Sequence, residues 1–151
     1  MVNNNIKIAI QALMAVLIVV LGIWLYRSIT GPWAAVERQQ ALTEMTRQQM
    51  TNVRNALTRY ERAEGNFPGT LDSLVMWLQA DSVVSANPDS IFGMGILLDS
   101  LIYSPRTGSA FGYSLNDTGR VAIYLLQDPD SDDQIGSNIP DITLLNAASW
   151  E

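Results

Sequence analysis

The sequence predicts an α+β chain: a membrane-spanning helix that runs on into a long amphipathic helix, packed on a short helix and a small antiparallel sheet. Three observations predict it. From Ile8 to Tyr26 the only strongly polar side chain is Gln11. From Trp33 to Ala63 there is neither Gly nor Pro, and apolar residues recur at near three-and-four spacing. Beyond residue 100, short apolar runs alternate with turn-forming segments.

The apolar run is flanked by Lys7 and Arg27. About nineteen residues rising about 1.5 Å each cover roughly the thickness of a bilayer's hydrocarbon core. A helix also pairs its backbone groups internally, as lipid requires. The expected span is 8–30, preceded by a short tail, 1–7. Lys7, Trp24, Tyr26, Arg27 and Trp33 are the expected membrane-interface residues, because aromatic rings and cations gather at headgroup level. Gln11 can donate and accept toward a neighbouring helix, which makes it a partner-contact residue. A cleaved secretory signal has an apolar region of about 7–15 residues ending in small side chains. Here Trp24, Leu25, Tyr26 and Arg27 occupy that place, so the anchor is expected to be retained.

The remainder, 31–151, is long enough for one soluble domain with its own core and too short for two. Charge is uneven along the chain. Residues 1–65 hold seven of the nine Lys and Arg, whereas 66–151 hold only Arg106 and Arg120 against eleven acids. No basic stripe exists to displace phosphate counterions, so nucleic acid is not an expected partner. The chain has no His and no Cys, which removes imidazole acid–base chemistry, thiol nucleophiles and most transition-metal ligation. No G-x-S-x-G, S-x-x-K or glycine-rich phosphate loop is present, so neither catalysis nor a small-molecule substrate is expected.

Gly31 and Pro32 are expected to interrupt the first helix, with Pro32 starting a second over 33–63. Leu42, Met45, Val53, Ala56, Leu57 and Tyr60 form its stripe, broken at Gln49, and Gly65 suits a left-handed cap. The polar stretch from Val36 to Thr51 reads as a solvated or subunit-facing stalk. Thr70 is an N-cap for a short helix over 70–79, with Leu71, Leu74, Val75 and Leu78 on one face. Residues 80–100 show no steady period and read as an irregular connection with about one turn of helix. Strands are expected at Leu101–Tyr103, Phe111–Leu115 and Val121–Leu126, giving a meander over about 101–126.

Glu37, Arg38 and Gln39, then Asn55, Ala56, Leu57, Tyr60, Gly65, Asn66, Phe67, Pro68, Thr70, Leu71 and Leu74 look like the corresponding run of a known family. So, later, do Ser104-Pro105, Gly108, Phe111-Gly112-Tyr113, Gly119, Val121, Ile123, Asp128, Asp132-Asp133 and Ile135-Gly136. Over about 37–136 the chain resembles the type IV pilin superfamily, in particular the major pseudopilin of type II secretion systems. The resemblance implies a pilin-like fold and an extracytoplasmic domain on the bacterial inner membrane, facing the periplasm. The positive-inside rule leans the other way, since Lys7 stands against Arg27, Arg38 and Arg47. Pilins carry a basic leader ending in Gly and an assembly glutamate in the apolar segment. Here Met1-Val2-Asn3-Asn4-Asn5 precedes that segment, and no acid lies within it.

The acidic loop, 127–137, puts Asp128, Asp130, Asp132 and Asp133 within six residues, a crowding that solvent or a cation must relieve. Oxygen ligands at this density suit Ca²⁺. An EF-hand is excluded, because Asp133 stands where Gly is required and Ile139 where the bidentate Glu belongs. The resemblance implies a calcium site of acidic side chains and backbone carbonyls, formed here by Asp128, Asp132 and Asp133, with Leu126 or Ser131 offering oxygens. Trp150, if exposed near the terminus, is a further partner anchor.

The expectation is therefore a non-catalytic single-pass accessory subunit of a larger membrane complex, with bioenergetic complexes, respiratory or photosynthetic, among the candidate hosts. Its partners would be lipid and other integral membrane subunits. The alternative is a divergent pseudopilin of a type II secretion or type IV pilus-like system.

Overall fold

The structure is a computed structural model that describes residues 4–93, 96–139 and 141–151. Part of the expected tail, residues 1–3, and Gly95 of the irregular connection lie outside the described residues. The chain is α+β and divides into two compact units, Met1–Ala41 and Leu42–Glu151.

The first unit is helical. Helix α1, Asn4–Glu64, supplies all of its described residues and continues into the second unit. The expected break at Gly31-Pro32 does not occur: the backbone stays helical through both. Proline removes one backbone donor from the ladder, a loss that long apolar helices tolerate when nearby hydroxyls and local adjustment satisfy the freed carbonyls. The Thr30 hydroxyl donates to the Tyr26 carbonyl in the turn before the proline.

In the second unit, α1 ends where the Gly65 N–H bonds to the Glu61 carbonyl at 2.8 Å, with Gly65 at φ 78°. The buried face of α1 is Thr46, Met50, Val53, Ala56 and Leu57. Met45, expected on that face, is exposed, because the inward row runs 46, 50, 53, 57 at helical spacing and 45 lies off it. Thr46 tolerates full burial by donating to the Leu42 carbonyl at 2.8 Å.

Helix α2, Leu71–Ala80, starts at a capping box in which the Thr70 hydroxyl accepts from the Ser73 N–H and the Ser73 hydroxyl accepts from the Thr70 N–H. It buries Leu71, Leu74, Val75 and Leu78. The connection after it is more ordered than the sequence suggests. It holds α3, Ser82–Ala86, capped by Asp81; α4, Pro88–Phe92; and a 3₁₀ turn, Leu98–Ser100.

Strands β1, Gly112–Asn116, β2, Ile123–Gln127, and β3, Gln134–Gly136, form an antiparallel sheet in that order. Tyr113 pairs with Leu126, and Leu126 with Ile135. The sheet therefore lies at 112–136 rather than 101–126. Leu101 and Ile102 are both buried but lie in a turn that follows the 3₁₀ segment into the core, and from this run only Tyr103 bridges, to Ala110. The core joins α1, α2 and the sheet through Leu57, Leu74, Leu78, Leu101, Tyr124 and Leu126. Edge-on ring pairs Tyr60–Trp77 at 5.1 Å and Phe67–Tyr124 at 5.0 Å complete it.

Candidate functional site

Two regions hold the functional residues the sequence points to: the apolar part of α1 and the loop between β2 and β3.

In the first, the large apolar side chains from Ile6 to Ile29 are all exposed, each by half or more. The helix is long and apolar enough to cross a bilayer. Gln11 is exposed on it, as are Lys7 and Arg27. Trp24, Tyr26 and Trp33 are each about 70 % exposed. Trp24 and Arg27 are three residues apart, about 4.5 Å along the axis, so an aromatic ring and a cation lie within one turn of each other.

In the second, β2 delivers Asp128 to the core side of its end and β3 begins one residue after Asp133. The loop closes on itself: the Asp128 N–H donates to the Asp133 carbonyl at 3.0 Å. The Ser131 hydroxyl bridges its interior, donating to Asp128 Oδ2 at 2.7 Å and accepting from the Asp133 N–H at 3.3 Å.

The four carboxylates split into two kinds. Asp128 and Asp133 are buried, whereas Asp130 and Asp132 are exposed. Both oxygens of Asp133 face one guanidinium, with Arg47 Nε donating to Oδ2 at 3.1 Å and Nη2 to Oδ1 at 2.9 Å. The hydrogen bond to Asp133 holds the Arg47 guanidinium above its ordinary pKa. The same guanidinium lies 5.3 Å from the centroid of the Trp150 ring. Trp150, the expected partner anchor, is partly buried and packs against the core of its own domain.

The Asp128 side chain has no solvent exposure, and Arg106 Nε lies 3.9 Å from its Oδ2. That is an ion pair without a hydrogen bond. Arg106 Nε and Asp128 Oδ1 are both buried without a hydrogen-bond partner. Arg106 is placed from its other end, Nη2 donating to the Thr43 hydroxyl at 3.2 Å. The Thr107 hydroxyl donates to Asp130 Oδ2.

Of the expected calcium ligands, Asp133 is thus turned to Arg47, Asp128 to Ser131 and Arg106, and Asp132 to solvent. Leu126, which could offer only its main-chain carbonyl, lies in the middle strand between Tyr113 and Ile135. Calcium takes six to eight oxygens at about 2.3–2.6 Å. The donor set as folded does not fit that shell, and among the described residues no three acidic side chains are disposed to share an ion.

Other polar side chains of α1, silent in the sequence, hold the connection in place. Gln49, where the apolar stripe breaks, donates to the carbonyls of Ser100 at 2.6 Å and Tyr103 at 3.2 Å. Asn52 donates to the Phe92 carbonyl at 3.0 Å. Beside them lies an open groove of about 570 Å³ lined by Glu44, Met45, Gln48, Gln49, Asn52, Ile96 and Pro105. Among the described residues, Glu44 is the one titratable side chain lining it.

No family model, curated protein or solved structure matches this chain. The likeness to pilins therefore rests on the residues quoted for it.

Proposed function

We propose that the chain is a non-catalytic, single-pass accessory subunit of a larger membrane protein complex of the respiratory or photosynthetic kind. The observation that carries this reading is the unbroken exposure of apolar side chains from Ile6 to Ile29, a surface that water penalises and lipid or neighbouring helices accept. In this reading the helix integrates into the bacterial inner membrane, Gln11 meets a polar group of a neighbouring span, and the domain from Leu42 onward contacts other integral subunits on the periplasmic face. The absence of His and Cys from the sequence supports a structural role over turnover. So does the pairing of the buried carboxylates with arginines.

Alkaline carbonate extraction, followed by native electrophoresis of membranes solubilised in a gentle detergent, tests it. The expected result is retention in the carbonate pellet and migration with other integral subunits. Release by carbonate, or migration as a lone chain, contradicts it.

The alternative, a divergent pseudopilin of a type II secretion or type IV pilus-like system, is favoured by one feature. A long N-terminal helix followed by a three-stranded antiparallel meander is the arrangement such a protein needs. N-terminal sequencing of the mature protein separates the two. A start at Met1 supports the accessory subunit, and a start within the apolar run supports filament assembly.

A further inference from the structure

We propose that Arg47 and Arg106 take the place of a divalent cation in the acidic loop, so that this part of the domain holds its shape without calcium. The inference does not depend on the membrane-subunit reading. It starts from the partition of the four aspartates. A buried carboxylate must be paired, while an exposed one is neutralised by water. The two that are buried, Asp128 and Asp133, are the two that face guanidinium groups, and the two without an arginine, Asp130 and Asp132, are exposed. Each buried carboxylate of the loop thus has a guanidinium to balance its charge, closely at Asp133 (2.9 Å) and more loosely at Asp128 (3.9 Å), whose Oδ1 has no hydrogen-bond partner.

Geometry supports the same conclusion. The planar fork of Arg47 engages both oxygens of Asp133, so a cation could coordinate that carboxylate only by displacing a two-pronged, charge-assisted contact. The fork is also held from a second side by the Trp150 ring at 5.3 Å. Within the loop, the Ser131 hydroxyl links Asp128 Oδ2 to the Asp133 N–H, a bridging task that a metal ion performs in a loop built around one. The two arginines come from segments far apart in the chain, the long helix and the turn after Ser104, so they tie the loop to both.

The test uses the full chain in detergent micelles, melted in EDTA and in about 5 mM CaCl₂, above the roughly 10⁻⁴–10⁻³ M range in which extracellular calcium modules bind. The wild-type melting temperature is expected to agree within about 1 °C between the two, because only a ligand that binds the native state raises it. Asp133→Asn and Arg47→Lys are expected to melt several degrees lower in both media, Lys keeping the charge but losing the fork. A wild-type rise of several degrees in calcium, abolished by Asp133→Asn, overturns the proposal. So does an Arg47→Lys variant that melts with the wild type in EDTA. Should either variant fail to fold, the wild-type comparison still decides.

Discussion

Arg47 and Asp133, 86 positions apart, meet in a two-pronged ion pair of 2.9 and 3.1 Å that fastens the long helix to the loop between β2 and β3. The carboxylate is nearly buried and the guanidinium about a third exposed, so solvent screens part of the attraction. Arg47→Met and Asp133→Asn should each cost about 1–2 kcal/mol. The double variant should cost less than their sum, leaving a coupling of about 1 kcal/mol in a denaturant-melt cycle. Additive losses would mean that the two side chains act separately.

The second arginine should matter more, although its ion pair is longer. Asp128 has no exposure, and its Oδ1 has no hydrogen-bond donor. Arg106→Met leaves that charge buried with the Ser131 hydroxyl but no cation beside it, a loss of about 3–5 kcal/mol. Adding Asp128→Asn to Arg106→Met should recover part of it. If the double variant is no more stable than Arg106→Met in urea melts, the buried charge is not the cause.

Gly136 and Gly65 both have positive φ, 82° and 78°, yet they should respond differently to alanine. A Cβ at Gly136 would fall on the Tyr124 carbonyl oxygen, with the Leu145 carbonyl oxygen 3.1 Å away. One at Gly65 would meet nothing within 4 Å. Gly65→Ala should therefore cost only the left-handed backbone penalty of about 1–2 kcal/mol. Gly136→Ala should abolish the cooperative melt, since two strands must separate to admit the methyl group.

Tyr113 donates to the Pro68 carbonyl at 2.8 Å and Tyr124 to Asn146 Oδ1 at 2.7 Å. Burial pushes both phenols well above their ordinary pKa of 10. With folded values raised, the stability they contribute is complete below pH 10 and declines as pH rises toward those values. A spectrophotometric titration should show a delayed phase, from Tyr113 and Tyr124, that ionises only with loss of near-ultraviolet circular dichroism. Tyr113→Phe and Tyr124→Phe should each remove one group from the delayed phase.

Much of the helical architecture was legible because helical period and cap chemistry are local. Thr70 as N-cap, the leucines of α2 and the glycine at 65 announce themselves within a few residues. What escaped was set by distance or by context. Gly31-Pro32 looks like a stop in isolation, but the helix carries through it. Leu101 and Ile102 have strand-like composition, yet both enter the core from a turn, and β3 has a single core-facing apolar residue, Ile135, too short a signal to read. In the loop, the carboxylates were visible and their partners were not. Nothing local to Arg47 or Arg106 tells that each meets an aspartate far along the chain. The polar stretch that reads as a solvated stalk contains Arg47 and Gln49, which face inward to charge and carbonyls.

The central claim is that the apolar segment of α1 lies inside a bilayer, and the lack of native cysteine makes it directly testable. Single substitutions Leu13→Cys, Ile18→Cys and Leu21→Cys within the segment, and Asn5→Cys and Arg38→Cys outside it, would be exposed in intact membranes to a water-soluble maleimide too polar to enter lipid. The three inner cysteines should stay unlabelled until the membrane is dissolved, with position 38 labelled from one side and position 5 only from the other. Labelling of 13, 18 and 21 at the rate of 38 in intact membranes would contradict the account.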